Sequence, residues 1–111
     1  MVSSEYQEQA GFLIWWKQRY PTVLIFSIPN GEYRMPKTAM KLKVTGVVKG
    51  IPDLMVPEWH LFIELKRKEG GVLSPSQKKM IAHLRTIGYT VIVGYGATDA
   101  SKQVLDFRAK V

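Results

Sequence analysis

The chain of 111 residues is 46% hydrophobic, which predicts one compact domain spanning residues 1–111 and leaves too little material for two ordinary domains. It contains no cysteine, so disulfides and thiolate metal sites are excluded, and it has no apolar run long enough to cross a bilayer. The net charge of +7 indicates either a polyanionic partner or a merely solvated basic surface, and composition favours neither. We expect a cytoplasmic protein with no membrane contact, because Glu5 and Glu8 depart from the pattern of a signal peptide.

The first half of the chain predicts a helix, a strand and a basic loop. Apolar residues recur at roughly helical spacing from Ser4 to about Tyr20 and stop before Pro21, which predicts a helix. The β-branched and aromatic run Thr22–Ile28 predicts a buried strand closed by a turn. Between residues 32 and 50 the pattern is interrupted by Gly46, and we expect a short helix inside a basic loop.

The second half predicts a hairpin, a helix, a strand and a terminal helix over about residues 99–107. Asp53–Val56 and Leu61–Lys66 are predicted as antiparallel strands because a short turn joins them. An N-cap, an N1 proline and a capping-box partner mark the next helix at Ser74, Pro75 and Gln77. Its apolar face is expected to comprise Met80, Ile81, Leu84 and Ile87, with Gly88 beyond its end. Thr90–Tyr95 completes an α/β fold, a small mixed β-sheet flanked by helices.

Three charged residues of the hairpin are predicted to converge. Asp53 opens one strand and Glu64 lies near the far end of the other, so antiparallel pairing brings them to one end of the sheet. Side chains alternate along a strand, so Glu64 and Lys66 share a face. Two carboxylates can hold Mg²⁺ or Mn²⁺, and a lysine beside them can neutralise charge on a phosphate. The pattern indicates metal-dependent phosphodiester hydrolysis.

A plainer interpretation makes these residues an exposed strand face, with Asp53 capping a turn after Pro52. Glu64, however, lies inside the apolar run Leu61–Leu65. A carboxylate there is costly unless it is paired or bound to a metal. The context therefore favours the functional interpretation.

Six motifs follow one another along nearly the whole chain: Asn30-Gly31, the basic stretch to Lys43, Gly46-Val47, Gly50-Ile51-Pro52-Asp53-Leu54, Glu64-Leu65-Lys66 and Leu73-Ser74-Pro75-Ser76-Gln77. Together they resemble the VRR-NUC domain, the virus-type replication-repair nuclease branch of the PD-(D/E)XK superfamily. The resemblance implies a restriction-endonuclease-like PD-(D/E)XK core and metal-dependent DNA cleavage by a stand-alone protein of phage or bacterial type.

Carried over by position, the resemblance makes Asp53 and Glu64 metal ligands, the carbonyl of Leu65 a further ligand and Lys66 the catalytic lysine. Gln77 has two interpretations, as capping-box partner and as active-site residue. The family also places a glutamate of the first helix at the metal. For that position Glu8 is our candidate and Glu5 the competitor, and the plainer interpretation of both is favourable charge near a helix N-terminus.

Basic residues are predicted to bind nucleic acid, chiefly through its phosphates. They are Arg34, Lys37, Lys41, Lys43, Lys49, Lys78 and Lys79. His60 and His83 lack the spacing of a zinc pair and are expected in a turn and on a helix surface. Base stacking is one interpretation of the three tryptophans, and core or interface packing is the expected one for Trp15, Trp16 and Trp59.

The predicted function is a divalent-metal-dependent endonuclease that acts on DNA and needs no small-molecule cofactor. By resemblance, we expect a homodimer that acts on branched DNA, such as four-way (Holliday) junctions or flaps formed in replication and repair. The alternative is a catalytically inactive DNA-binding module of the same fold. A sequence-specific restriction-type enzyme would need a base-reading insertion, for which 111 residues leave little room. The sequence does not distinguish DNA from RNA as the substrate, or Mg²⁺ from Mn²⁺ as the metal.

Overall fold

The computed structural model describes residues 3–29 and 44–111. In these ranges the elements are α1 (Glu5–Arg19), β1 (Phe26–Ser27), β2 (Leu54–Val56), β3 (Leu61–Lys66), α2 (Pro75–Thr86), β4 (Thr90–Tyr95) and α3 (Ala97–Ala109), with a short 3₁₀ helix at Pro57–Trp59. The predicted order of elements and the α/β class are confirmed. Most of the loop expected between residues 32 and 50 lies outside the described residues. No described helix has the length and apolar character needed to cross a membrane.

The four strands form one mixed sheet in the order β1-β2-β3-β4. β1 and β2 are antiparallel, as are β2 and β3, whereas β3 and β4 run parallel. The parallel pair is connected through α2, because parallel neighbours need a crossover rather than a tight turn. The predicted hairpin is present, because β2 and β3 are antiparallel and joined through Pro57–Trp59. Asp53 lies just before β2, and Glu64 lies near the end of β3.

Two helices cover one face of the sheet and α2 covers the other. On the first face the odd-numbered residues of Leu61–Leu65 pack among residues of α1 and α3 in the larger core. On the second face Phe62 packs with α2 and β4 in a smaller core. Since side chains alternate along a strand, Glu64 and Lys66 belong to the α2 face with Phe62.

Side-chain caps define where α1 and α2 begin. Ser4 caps α1 and Ser74 caps α2, each in a complete capping box whose third residue is a glutamine, Gln7 and Gln77 respectively. Each box satisfies two backbone N–H groups that the first helical turn would leave unpaired. Gly88 follows α2 with φ of +102°, the left-handed conformation expected of a residue just past a helix end.

The predicted buried strand Thr22–Ile28 is wrong in both length and burial. β1 comprises two residues only, and both are exposed. The preceding residues form a turn after α1, in which the Val23 N–H donates to the Tyr20 carbonyl at 3.2 Å and the Val23 carbonyl accepts from the Trp16 indole N–H at 3.1 Å. These tertiary bonds hold the first part of the run in an irregular conformation despite its β propensity.

Two further expectations need correction. Ile87 is not part of the apolar face of α2, because it is the C-cap residue and is 54% exposed. The terminal helix is longer than predicted, since it begins at Ala97 rather than Asp99 and extends to Ala109. The expected packing of the tryptophans is confirmed, with Trp16 buried and all three rings in contact with the ring of Tyr20.

β4 lies at an edge of the sheet, and both neighbouring helices bond to its outer side. The carbonyls of Val91 and Val93 accept hydrogen bonds from Arg85 of α2 and Gln103 of α3, each at 2.8 Å. Carbonyls of an edge strand have no partner strand on their outer side, so these side chains replace one.

Candidate active site

The site is built where β2 begins and β3 ends. Asp53 immediately precedes β2, and its Oδ2 accepts the backbone N–H of Leu65 at 2.9 Å. This bond links the two strands beyond their last ladder pair, Leu54 with Ile63. The half-buried carboxylate of Asp53 is thereby held beside the backbone of the Glu64-Leu65-Lys66 segment, as the antiparallel pairing predicted.

Glu64 is a buried carboxylate with an incomplete set of partners. It is 1% exposed. Its Oε2 accepts from Gln77 Nε2 at 3.3 Å and lies 3.5 Å from Lys66 Nζ, whereas Oε1 is buried and has no hydrogen-bond partner among the described residues. A buried carboxylate oxygen without a partner is unfavourable, and in native proteins it calls for an explanation such as a bound ion or a catalytic role.

Burial and the neighbouring carboxylate change the acidity of Glu64. Loss of solvation is the larger cause and the charge of Asp53 the next, and together they raise the pKa of Glu64 from 4.5 to about 8 despite the opposing effect of Lys66. Without a further cation at the site, Glu64 is therefore mainly protonated near neutral pH. A perturbed acid beside a second acid and a lysine is the electrostatic signature of functional sites.

Lys66 is nearly as buried as Glu64, with 6% of its surface exposed, and the turn after β3 packs against it. A Cβ added to Gly71 would lie 2.8 Å from Lys66 Cβ and 2.8 Å from the carbonyl oxygen of Arg67. Only glycine allows so close an approach. This geometry gives Gly71 a packing role beside Lys66.

Gln77 connects the cap of α2 to the carboxylate. Its Oε1 accepts the Ser74 N–H at 2.9 Å, while its Nε2 donates to Glu64. The capping-box interpretation is therefore present in the structure, and the same buried amide also contacts Glu64. Its role as an active-site residue stays a prediction. Because the cap holds the oxygen, the amide nitrogen is left pointing toward Glu64.

Gly50 seats the segment that carries Asp53 against α2. Gly50 has φ of +88°, and a Cβ on it would lie 2.6 Å from the Ser76 carbonyl oxygen. Neither the backbone conformation nor the space admits another residue without a shift. The glycine of the Gly-x-Pro-Asp motif is thus explained by close packing between the loop before β2 and the first turn of α2.

Glu8 is a residue of α1 whose side chain reaches the start of α3. The side chain of Glu5 is exposed. Glu8 Oε1 accepts the backbone N–H of Ala97 at 2.8 Å. It therefore acts as a cap for α3, whose own N-cap residue, Gly96, has no side chain. In the described ranges, no group of three or more Asp, Glu, His or Cys residues could hold a metal, so the metal-ligand role carried over to Glu8 stays a prediction.

The predicted nucleic-acid-binding residues fall into two groups. Lys49, Lys78 and Lys79 are exposed, and the last two lie in the first half of α2, next to Gln77. Four others lie outside the described residues: Arg34, Lys37, Lys41 and Lys43. The structure therefore places one exposed basic pair on the helix that contacts Glu64.

The acidic pair fits a small divalent cation. Glu64 Oε1 lacks a partner among the described residues, and repulsion from Asp53 contributes to the raised pKa of Glu64. A cation bound by both carboxylates would remove both unfavourable features. All-oxygen donors suit Mg²⁺ or Mn²⁺, which retain several waters and need few protein ligands.

Comparison with known proteins supports one assignment. No protein-family profile and no curated protein matches the sequence. A solved structure described as a VRR_NUC domain protein superposes with a TM-score of 0.76 at 25% identity, covering 95% of this chain and 88% of that one. The chain is therefore similar in fold to a VRR-NUC domain over nearly its whole length. The resemblance inferred from six short motifs is confirmed, and so is the expected fold.

The hairpin and α2 bring Asp53, Glu64, Lys66 and Gln77 together, whereas Glu8 belongs to a helix on the other face of the sheet. Tyr95 belongs to none of the motifs in the sequence, yet it pairs in register with Lys66. That register between parallel strands depends on the crossover through α2, and no local sequence signal specifies it.

Proposed function

We propose that this VRR-NUC domain is a divalent-metal-dependent endonuclease that hydrolyses phosphodiester bonds of DNA. The proposal rests mainly on one observation, the buried Glu64 whose Oε1 has no partner among the described residues, beside Asp53 and Lys66. A protein that needed these residues only for stability would gain more from apolar side chains of similar size. The assembly of two acids, a lysine and an amide at one point therefore supports a catalytic role for these side chains.

The proposed metal ligands are the carboxylates of Asp53 and Glu64 and the carbonyl of Leu65. The Leu65 N–H already bonds to Asp53, which keeps this part of the backbone next to the carboxylate. When bound, the cation would lower the pKa of a coordinated water and polarise a phosphoryl oxygen. With the cation bound, Glu64 would be ionised, because a nearby cation favours the charged form of a carboxylate.

Lys66 is proposed to neutralise charge that develops on the phosphate during hydrolysis. Its ammonium group is buried and lies 3.5 Å from Glu64 Oε2, so it acts where water screens poorly. Gln77 is proposed to keep Glu64 in one orientation through its amide nitrogen. A fixed arrangement of this kind costs little reorganisation when the substrate binds.

DNA is proposed as the substrate because the domain is of a nuclease type and the chain carries a net charge of +7. Lys78 and Lys79 are proposed to contact the phosphate backbone rather than bases, as exposed lysines beside a cleavage site would do. Branched DNA is the proposed substrate class, and a homodimer would present two sites to a symmetric junction. Light scattering tests the dimer independently of activity.

The deciding experiment is cleavage of labelled duplex, single-stranded, flap and four-way-junction DNA, with matched RNA strands, in Mg²⁺ or Mn²⁺. We expect metal-dependent cutting by wild type, its loss in Glu64→Gln, and its retention in Glu69→Gln, which removes an exposed carboxylate nearby. Pure wild-type protein that binds these substrates but cuts none would instead favour the inactive binding module.

Two further substitutions separate binding from catalysis. Lys66→Ala should abolish cutting while DNA affinity in chelator is retained, and Asp53→Ala should in addition weaken Mg²⁺ binding measured by calorimetry. Full activity in either variant would contradict the proposed site.

The salt dependence of binding tests the lysines of α2. Lys78→Ala/Lys79→Ala should lower the slope of log affinity against log salt by about 2, because each phosphate contact contributes about 0.9. Lys102→Ala/Lys110→Ala removes equal charge from exposed positions of α3 and just beyond its end, and should leave the slope nearly unchanged. Equal slopes in all proteins would refute the contact.

A further inference from the structure

Tyr95 lies beside Lys66 on the catalytic face of the sheet. The two residues are partners in the parallel ladder of β3 and β4. Val91 and Val93 of β4 pack in the core on the α2 face, and alternation along the strand places Tyr95 on that face too. Adjacent strands are about 4.8 Å apart, so the side chains of Tyr95 and Lys66 start from neighbouring positions.

The backbone of Tyr95 is held on both sides. Its N–H donates to Asp99 Oδ2 at 2.9 Å, and the next N–H, of Gly96, donates to the Lys66 carbonyl at 2.9 Å. The flanking residues Gly94 and Gly96 carry no side chains that could cover the ring. The backbone that carries the ring is therefore fixed before any ligand arrives.

The side chain of Tyr95 differs from the other tyrosines near the sheet. Tyr20 and Tyr89 pack against other aromatic rings. Tyr95 is 40% exposed, and within residues 3–29 and 44–111 neither its ring nor its hydroxyl makes a ring contact or a side-chain hydrogen bond. An amphipathic ring beside a buried lysine is thus free to contact whatever Lys66 contacts.

From this placement we propose that Tyr95 stacks on an unpaired base next to the phosphate that Lys66 engages. The inference rests on the proposed function, and it adds a residue that selects nucleic acid with an unpaired nucleotide at the cleavage site. Every base offers a flat face to an aromatic ring, whereas paired bases in a continuous duplex are already stacked on both sides. A tyrosine loses little conformational entropy on binding, because only two torsions are fixed.

The test measures binding in chelator, so that no cleavage is needed. The probe is a single-stranded DNA oligonucleotide with 2-aminopurine, whose fluorescence falls when a ring stacks on it, placed at successive positions. Tyr95→Ala should weaken affinity about tenfold and remove the quenching at one position, while Tyr95→Phe stays within about twofold of wild type. Tyr6→Ala, which removes an 82% exposed tyrosine from α1 on the other face, serves as the matched control.

Three outcomes would overturn the inference: no oligonucleotide binding by wild type, unchanged affinity in Tyr95→Ala, or an equal loss in Tyr95→Phe, which would assign the contact to the hydroxyl. Cleavage by wild type in Mg²⁺ is measured separately. Cleavage together with unchanged binding by Tyr95→Ala removes only the role of Tyr95. Loss of binding in that variant without any cleavage by wild type removes only the proposed hydrolysis.

Discussion

Replacing Glu64 by glutamine should change how the stability of the metal-free protein depends on pH. Glutamine keeps the size of the side chain and its bond to Gln77 but cannot ionise. In wild type the pKa of Glu64 is raised from 4.5 to about 8 by burial and by Asp53. Between these values the folded protein keeps the proton that the unfolded chain releases, so the contribution of Glu64 to stability is fully present below about pH 4.5 and is lost as the pH rises toward 8.

The size of the effect follows from the raised pKa. At about 1.4 kcal/mol per pH unit, the displacement of the Glu64 pKa corresponds to roughly 5 kcal/mol between the two limits, and relaxation of the site reduces this figure. A remaining difference of about 2 kcal/mol would still move the midpoint of thermal unfolding by about 10 °C in a domain of this size. We therefore expect Glu64→Gln to be more stable than wild type at pH 9 in chelator.

The assay is urea unfolding of both proteins in EDTA from pH 5 to pH 9. The difference in unfolding free energy isolates residue 64, because His60 and His83 are present in both proteins. Glu69→Gln should follow wild type throughout, and added Mg²⁺ should restore wild-type stability at high pH without affecting Glu64→Gln. A difference that stays constant within about 0.5 kcal/mol across this range would show that burial does not keep Glu64 protonated.

Two other substitutions test the packing that holds the acids. Gly50→Ala should lower the free energy of unfolding by about 3 kcal/mol or more, because the added Cβ would lie 2.6 Å from a backbone oxygen of α2. Gly88 has a similar positive φ but nothing within 4 Å of such a Cβ, so Gly88→Ala should lower it by only about 1–2 kcal/mol. Equal losses in urea unfolding would contradict this prediction. Gln77→Ala should lower the free energy of unfolding by about 1 kcal/mol more than Gln7→Ala, because Gln7 belongs to an equivalent capping box that makes no contact with Glu64. Only Gln77→Ala should also weaken Mg²⁺ binding measured by calorimetry.

Local signals made the second half of the chain predictable. The N-cap serine, the proline and the capping-box glutamine defined the start of α2, and four residues between two apolar runs defined the hairpin. Antiparallel pairing then brought Asp53 and Glu64 together, since the register of a short hairpin follows from its turn. The expected start of α3 was two residues late because its cap comes from Glu8, 89 residues away from Ala97.

Tertiary contacts explain what sequence alone did not predict. The run Thr22–Ile28 has high β propensity, yet the bond from the Trp16 indole and a turn after α1 leave only two residues in the sheet. The position of Tyr95 beside Lys66 was equally hidden, because the offset between parallel strands depends on how the connecting helix packs. In the first case tertiary contacts override the local β propensity, and in the second the local sequence carries no signal for the strand register.

The edge of β4 bears on how this protein behaves at high concentration. A strand from a second molecule could add there only by displacing Arg85 and Gln103 from the carbonyls they occupy and Asp99 from the Tyr95 N–H. Open-ended growth into fibrils by strand addition is therefore opposed along this six-residue edge. If the protein gathers on DNA, as proposed, it could be crowded on that side without polymerising through this edge.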